Sequence, residues 1–79
     1  MRLKVKLFSV LQEYAPDYDP DTGLEVELAS DALVSDLIHL LNIPPDKAPV
    51  VSCNGRVMKA DEPLRHGSVV HLFQPVAGG

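Results

Sequence analysis

One stretch of this sequence has the periodicity of an amphipathic helix, and strand-like stretches lie on both sides of it. Within residues 34–42 the apolar residues recur at i, i+3, i+4 and i+7, which gives a single stripe: Val34, Leu37, Ile38 and Leu41. We expect Ser30 or Asp31 to cap this helix and Pro44 to end it. Because one helix covers one face of a sheet, the other face must be partly exposed.

The strand-like stretches alternate apolar and polar residues. Residues 2–8 and 24–28 have this period of two, with cations outward in the first stretch and glutamates outward in the second. Opposite charges favour an antiparallel hairpin in which Lys4 and Lys6 face Glu25 and Glu27.

Three more strands follow the helix in the sequence. They are predicted at residues 49–53, 56–59 and 68–73, with Asn54-Gly55 as the turn between the first two. The order β-β-α-β-β-β predicts an α+β domain in which a mixed sheet packs on one principal helix. The long connection from 9 to 23 is predicted to begin with a short helical turn and to continue as an acidic loop.

Composition and charge exclude several classes of protein. The net charge of −4 argues against nucleic acid as a partner. No apolar run approaches the ~18 residues of a membrane span, so we expect a soluble, cytoplasmic chain. The single cysteine, Cys53, excludes an internal disulfide and is expected to be structural. The three histidines are too scattered to predict a metal site: His39, His66 and His71.

The last strand predicts a surface for partners. If Val70 and Leu72 point to the core, then the alternate residues Val69, His71 and Phe73 point outward. An exposed aromatic residue among apolar neighbours is typical of a docking patch. A basic group near the end of the sequence has two explanations, steering of an acidic partner toward the domain or, more commonly, scattered surface charge: Arg56, Lys59 and Arg65.

The final residues predict chemistry at a carboxylate. Pro75 has no N–H for the sheet ladder, so we expect a domain over 1–74 and a flexible tail over 75–79. Glycine has no Cβ, so a Gly-Gly ending can thread a narrow channel. The segment expected to lie in that channel is Pro75, Val76, Ala77 and Gly78. The carboxylate of Gly79 is a poor electrophile until ATP adenylates it, after which sulfur or nitrogen can attack the acyl carbon.

These features together resemble the ubiquitin-like sulfur-carrier family. The resemblance lies in LKVKLF, VSDLIHLLNIP, NGR at 54–56 and VVHLFQPVAGG. It implies a β-grasp fold and a carrier that is not a stand-alone catalyst and holds no cofactor. In such carriers a ubiquitin-activating-type adenylyltransferase uses ATP to activate the residue matching Gly79. A sulfur donor protein then converts that residue to a thiocarboxylate.

The branch of the family is indicated by two segments. FSVLQEY and the ending PVAGG resemble the small subunit of molybdopterin synthase, which implies a large subunit that holds a pterin precursor. Leu33 and Tyr14 depart from that branch, where Thr and Leu are usual. Carriers for thiamine thiazole, tungsten-cofactor, cysteine or homocysteine synthesis share much of the pattern. A ubiquitin-like modifier joined to proteins through Gly79 shares it too, and a passive binding module is the remaining alternative.

Overall fold

A computed structural model describes residues 1–47 and 49–75 of the chain. The predicted order of strands and helix is confirmed, with a 3-10 helix in each of two connections. The strands and the helix have these bounds: β1 Arg2–Leu7, β2 Leu24–Glu27, α1 Val34–Leu40, β3 Val50–Cys53, β4 Arg56–Met58 and β5 Val69–Phe73. The 3-10 helices are Ser9–Tyr14, where the sequence predicts a helical turn, and Pro45–Lys47.

The described strands form one mixed sheet in the order β2-β1-β5-β3-β4. The two central strands, β1 and β5, are parallel, and the other neighbouring pairs are antiparallel. The first and last strands of the chain therefore lie side by side. This arrangement, with one helix across one face, is a ubiquitin-like β-grasp fold.

The core lies between the helix and one face of the sheet. Leu37 of α1 has no exposed surface, and neither do Val5 of β1 and Val70 and Leu72 of β5. The same cluster includes these further buried residues: Leu3, Leu7, Leu11, Val26, Val34, Leu41, Ile43, Val51 and Leu64. The alternating strands thus bury one face, as the period of two predicts.

The register of the first hairpin differs from the predicted one. Lys4 does lie opposite Glu25, but the residue opposite Glu27 is Arg2, at 3.8 Å between charged atoms, and not a lysine. The pairing ends at Val5 because the chain turns into β2 at Gly23, whose φ is +78°. Lys6 therefore lies beyond the end of β2.

The cap of α1 also differs from the predicted one. The N-cap residue is Leu33, not Ser30 or Asp31, and its N–H donates to the carboxylate of Asp36 at 2.7 Å. The first free N–H groups of the helix donate to backbone carbonyl oxygens: Val34 to Glu62 at 3.0 Å and Ser35 to Ala60 at 2.9 Å. A leucine is tolerated there because a distant loop supplies the acceptors that a Ser or Asp side chain ordinarily supplies.

The side chain of Glu62 fastens that loop to β4. Its carboxylate accepts hydrogen bonds from the Arg56 guanidinium, with the closest pair at 2.9 Å, and from the Lys59 N–H at 3.0 Å. The hydrogen bonds from Arg56 and Lys59 lower the pKa of Glu62 below its ordinary value of 4.5. The ionised carboxylate therefore stabilises the loop on which the start of the helix rests.

The long connection before β2 is tied to the free end of β1. The N–H of Leu7 donates to the Tyr18 hydroxyl at 2.9 Å, and the Leu7 carbonyl accepts from the Gln12 amide at 3.1 Å. Both groups lie where β2 no longer pairs with β1. The connection thus satisfies backbone groups that the sheet leaves unpaired.

We expect Tyr18→Phe to lower the free energy of unfolding by about 1 kcal/mol, because the part-buried Leu7 N–H loses its acceptor. Tyr14→Phe is the matched control, since Tyr14 packs on the same core. Urea denaturation of both variants measures the difference. An equal effect of the two substitutions would contradict the role given to the Tyr18 hydroxyl.

We expect Glu62→Gln to lower the urea midpoint at neutral pH. A carboxyl whose pKa is lowered by folding stabilises the fold above its unfolded pKa, and this contribution is lost as the pH falls through the folded pKa. The difference between wild type and variant should therefore shrink below pH 4.5. The exposed neighbour Asp61, changed to Asn, is the control. A difference that stays constant down to pH 2 would refute the assignment.

Candidate functional site

The outer face of β5 is exposed because the helix covers only the other face of the sheet. Val70 and Leu72 are fully buried, whereas Val69 is 42% exposed and His71 and Phe73 are half-buried. The predicted orientation of these alternate residues is confirmed. Their role in binding a partner remains a prediction.

Two further apolar residues are exposed just after β1, and the sequence analysis missed both. Phe8 is 46% exposed and Val10 is 48% exposed. The Phe8 ring meets His71 edge to face, with ring centroids 5.6 Å apart and planes at 74°. Phe8 occupies an outward position of the period of two that begins at Arg2, so this signal was present in the sequence. We call Phe8, Val69, His71 and Phe73 the outer-face patch.

The backbone at Ser9 adopts an uncommon conformation between the two exposed apolar residues. Its φ is +56°, in the left-handed region that few residues other than glycine adopt. β1 ends just before this point, and the N–H of Phe8 still donates to the carbonyl of Leu72 at 3.1 Å. The turn at Ser9 thus follows immediately after the hydrogen bond that joins Phe8 to β5.

The C-terminal segment leaves the sheet at the outer-face patch. β5 ends at Phe73, and the next described residues, Gln74 and Pro75, belong to no strand. Pro75 is exposed. The remaining predicted tail residues, Val76, Ala77, Gly78 and Gly79, lie outside the described residues, so their predicted roles stay predictions.

Arg56 lies on the other face of the sheet from the patch. It pairs in register with Cys53, which follows the buried Val51 by two residues and so shares its face. Its guanidinium is bound to Glu62, and that hydrogen bond raises the pKa of Arg56. The four residues predicted to bind partners therefore do not form one surface, because Arg56 is apart from Val69, His71 and Phe73.

A cavity of about 400 Å³ lies beside Arg56 on the helix side of the sheet. Its lining includes Cys53, Arg56, Arg65 and Ser68. Cys53 is half-buried at the end of β3, in register with Val70 at the beginning of β5. The cavity is therefore at the end of β5 opposite to the tail, and it adjoins neither the patch nor Pro75.

The described residues contain neither a cluster of metal-ligating side chains nor a helix that could cross a membrane. In residues 1–47 and 49–75, no three His, Cys, Asp or Glu side chains are grouped so that they share a metal ion. Neither the aspartates of the acidic loop before β2 nor the scattered histidines form such a group. No helix of the described chain has the length and apolar character to cross a membrane.

Three solved structures that share the fold of this chain come from archaea. A protein described as molybdopterin converting factor, subunit 1, from Pyrococcus furiosus is 29% identical, with a TM-score of 0.76, over 96% of this chain and 99% of that one. The small archaeal modifier protein SAMP1 of Haloferax volcanii is 26% identical, with a TM-score of 0.73, over the full length of both chains. A ubiquitin of Caldiarchaeum subterraneum, 22% identical with a TM-score of 0.61 over 100% of this chain and 98% of that one, shares the fold.

The sequence itself matches a family model over nearly its whole length. No curated protein matches it significantly. The model of the ThiS family, however, matches residues 5–79, which include the second half of β1, the helix, the four later strands and the Gly78-Gly79 ending. The chain therefore belongs to the ThiS family of ubiquitin-like sulfur carriers.

Proposed function

We propose that this chain carries sulfur as a thiocarboxylate on Gly79 and delivers it to the pterin precursor of the molybdenum cofactor. The observation that carries the proposal is the match of residues 5–79 to the ThiS family, because the matched range includes the Gly-Gly ending. The similarity to molybdopterin converting factor subunit 1 supports the pterin acceptor. In this function the chain is a co-substrate of its partners.

The fold suits this function through the position of β5. This strand presents Val69, His71 and Phe73 on the outer face and leads directly into the segment that ends at Gly79. A partner bound to the outer-face patch thereby receives the tail as well. Pro75 has no backbone N–H to donate to a neighbouring strand, and it lies just after β5 ends at Phe73.

The chemistry requires two steps at one carbon atom. The carboxylate of Gly79 attacks the α-phosphorus of ATP, which forms an acyl adenylate and releases pyrophosphate. Hydrosulfide supplied by the donor protein then attacks the acyl carbon, and the C–O bond to AMP breaks as the C–S bond forms, which leaves a thiocarboxylate with sulfur in place of one oxygen. The adenylyltransferase supplies the ATP site, and the chain supplies the acyl group and the surface that positions it.

The large subunit of the synthase is the second partner in this proposal. It holds the pterin precursor while the thiocarboxylate sulfur of Gly79 bonds to the pterin, and water then cleaves the acyl C–S bond and returns Gly79 to a carboxylate. The tail must enter two different enzymes, and residues without a bulky side chain suit both channels. The outer-face patch is then used in turn by each partner, since its residue Phe73 is the last residue of β5 before the tail.

We expect deletion of Gly79 to abolish ATP–pyrophosphate exchange with the adenylyltransferase, because the remaining carboxylate is one residue short of the reacting phosphate. The core of the described residues is formed by side chains up to Leu72, so the urea midpoint should be unchanged. Undiminished exchange by the shortened chain would refute the assignment of Gly79.

We expect Phe73→Asp to raise the KM for the chain in the same exchange assay by at least about tenfold. This corresponds to a loss of about 1.4 kcal/mol of binding free energy when a charge replaces a docking aromatic residue. Phe8→Asp should act in the same direction, and it keeps the test valid if Phe73→Asp fails to fold. Leu40→Asp, at a helix position that is 48% exposed, is the control. An equal KM for all three variants would contradict docking through the patch.

The similarity to SAMP1 favours a second function, which is attachment of Gly79 to lysines of other proteins. Both functions begin with the same adenylate, and they differ in whether sulfur or a lysine amine attacks it. Conjugation predicts higher-mass adducts that resist reducing agents and that contain an isopeptide bond to Gly79. Their absence from cells in which the chain is adenylated would exclude this function.

A further inference from the structure

Three cations follow one another on the outer face of β1, and only the third has no acidic residue opposite it. The two glutamates of β2 lie opposite Arg2 and Lys4. The β1–β2 pairing ends at Val5, so Lys6 has no β2 residue across from it. On its other side, Lys6 is in register with His71 of β5. Lys4 is in register with Val69, so both lysines border the outer-face patch, and Lys6 is the one with no glutamate of β2 across from it.

The charge of Lys6 is poorly compensated within the described chain. Its ammonium reaches the carbonyl oxygens of Pro20 and Asp21, each at 3.4 Å, which is long for a hydrogen bond. Both acceptors are neutral carbonyl groups. The ion pairs within the described residues are Arg2 with Glu27 and Arg56 with Glu62, so neither of them includes Lys6.

His71 presents a polar ring beside this cation and within apolar surroundings. The edge contact with Phe8 orients its imidazole, and Val69 and Phe73 flank it along β5. The residue opposite it on β3 is Ser52, which carries no charge. Lys6 is thus the charged residue that faces His71 from the two neighbouring strands.

We propose that the outer-face patch recognises a partner protein through an aspartate or glutamate side chain surrounded by apolar groups, with Lys6 as its counter-ion and His71 as its hydrogen-bond donor. The proposal rests on the proposed function, in which the first partner is the adenylyltransferase. A carboxylate that loses water against Phe8 and Phe73 needs a cation and a donor in return. Lys4 does not serve this purpose, because Glu25 opposite it repels a carboxylate.

The matched pair of lysines makes the test specific. Lys6→Glu reverses the charge and should raise the half-saturating concentration of the chain in ATP–pyrophosphate exchange by at least about tenfold. Lys6→Gln only removes the charge and should raise this concentration less. Lys4→Glu lies on the same strand and face, and its effect should be several-fold smaller. The maximal rate should be unchanged for all three, since the tail is intact. Equal effects of Lys6→Glu and Lys4→Glu would overturn the proposal.

A second measurement needs no activating enzyme. Nuclear magnetic resonance of the labelled chain with the blocked peptide Leu-Glu-Leu should shift the amide signals of Lys6 and His71 more than the matched peptide Leu-Gln-Leu does. Equal shifts with both peptides, or none, would refute recognition of the carboxylate. A chain that no adenylyltransferase activates would instead contradict the proposed function, while the peptide result would still decide this inference.

Discussion

The parallel pairing of β1 with β5 at the centre of the sheet is the constraint on which the rest of the structure depends. It joins the two ends of the described chain, in a register that runs from Lys4 opposite Val69 to Leu7 opposite Leu72. The buried residues of both strands face the single helix and form the middle of the core. Because the same two strands are exposed on their other face, the pairing also brings Phe8 and Lys6 beside His71.

One strand thus contributes to the core through one face and to the proposed function through the other. Val70 and Leu72 are fully buried against the helix side, and the alternate residues form most of the outer-face patch. The chain then leaves the sheet at Phe73, at the edge of that patch. A carrier whose last residue must enter an enzyme gains from this arrangement, since the surface that binds and the segment that reacts are positioned by the same buried side chains.

The sequence predicted the features that local patterns determine. Strand alternation identified both faces of β5, and the helical stripe identified α1 to within two residues of its end. Two of the missed features depend on contacts distant in sequence. The cap at Leu33 depends on carbonyl groups from the loop around Glu62, and the hairpin register depends on where the long connection releases the chain at Gly23. The face of Arg56 follows from its pairing with Cys53. This pairing is determined locally, because the two residues flank the two-residue Asn54-Gly55 turn.

The central claim is that Gly79 carries sulfur, and intact-mass spectrometry tests it most directly. The chain is incubated with its adenylyltransferase, ATP and a sulfur donor, and the product is then fragmented. The account predicts the mass increase that accompanies replacement of one oxygen by sulfur, located on the C-terminal residue. An unchanged mass, with an adenylyltransferase that is shown to be active on another carrier, would contradict it.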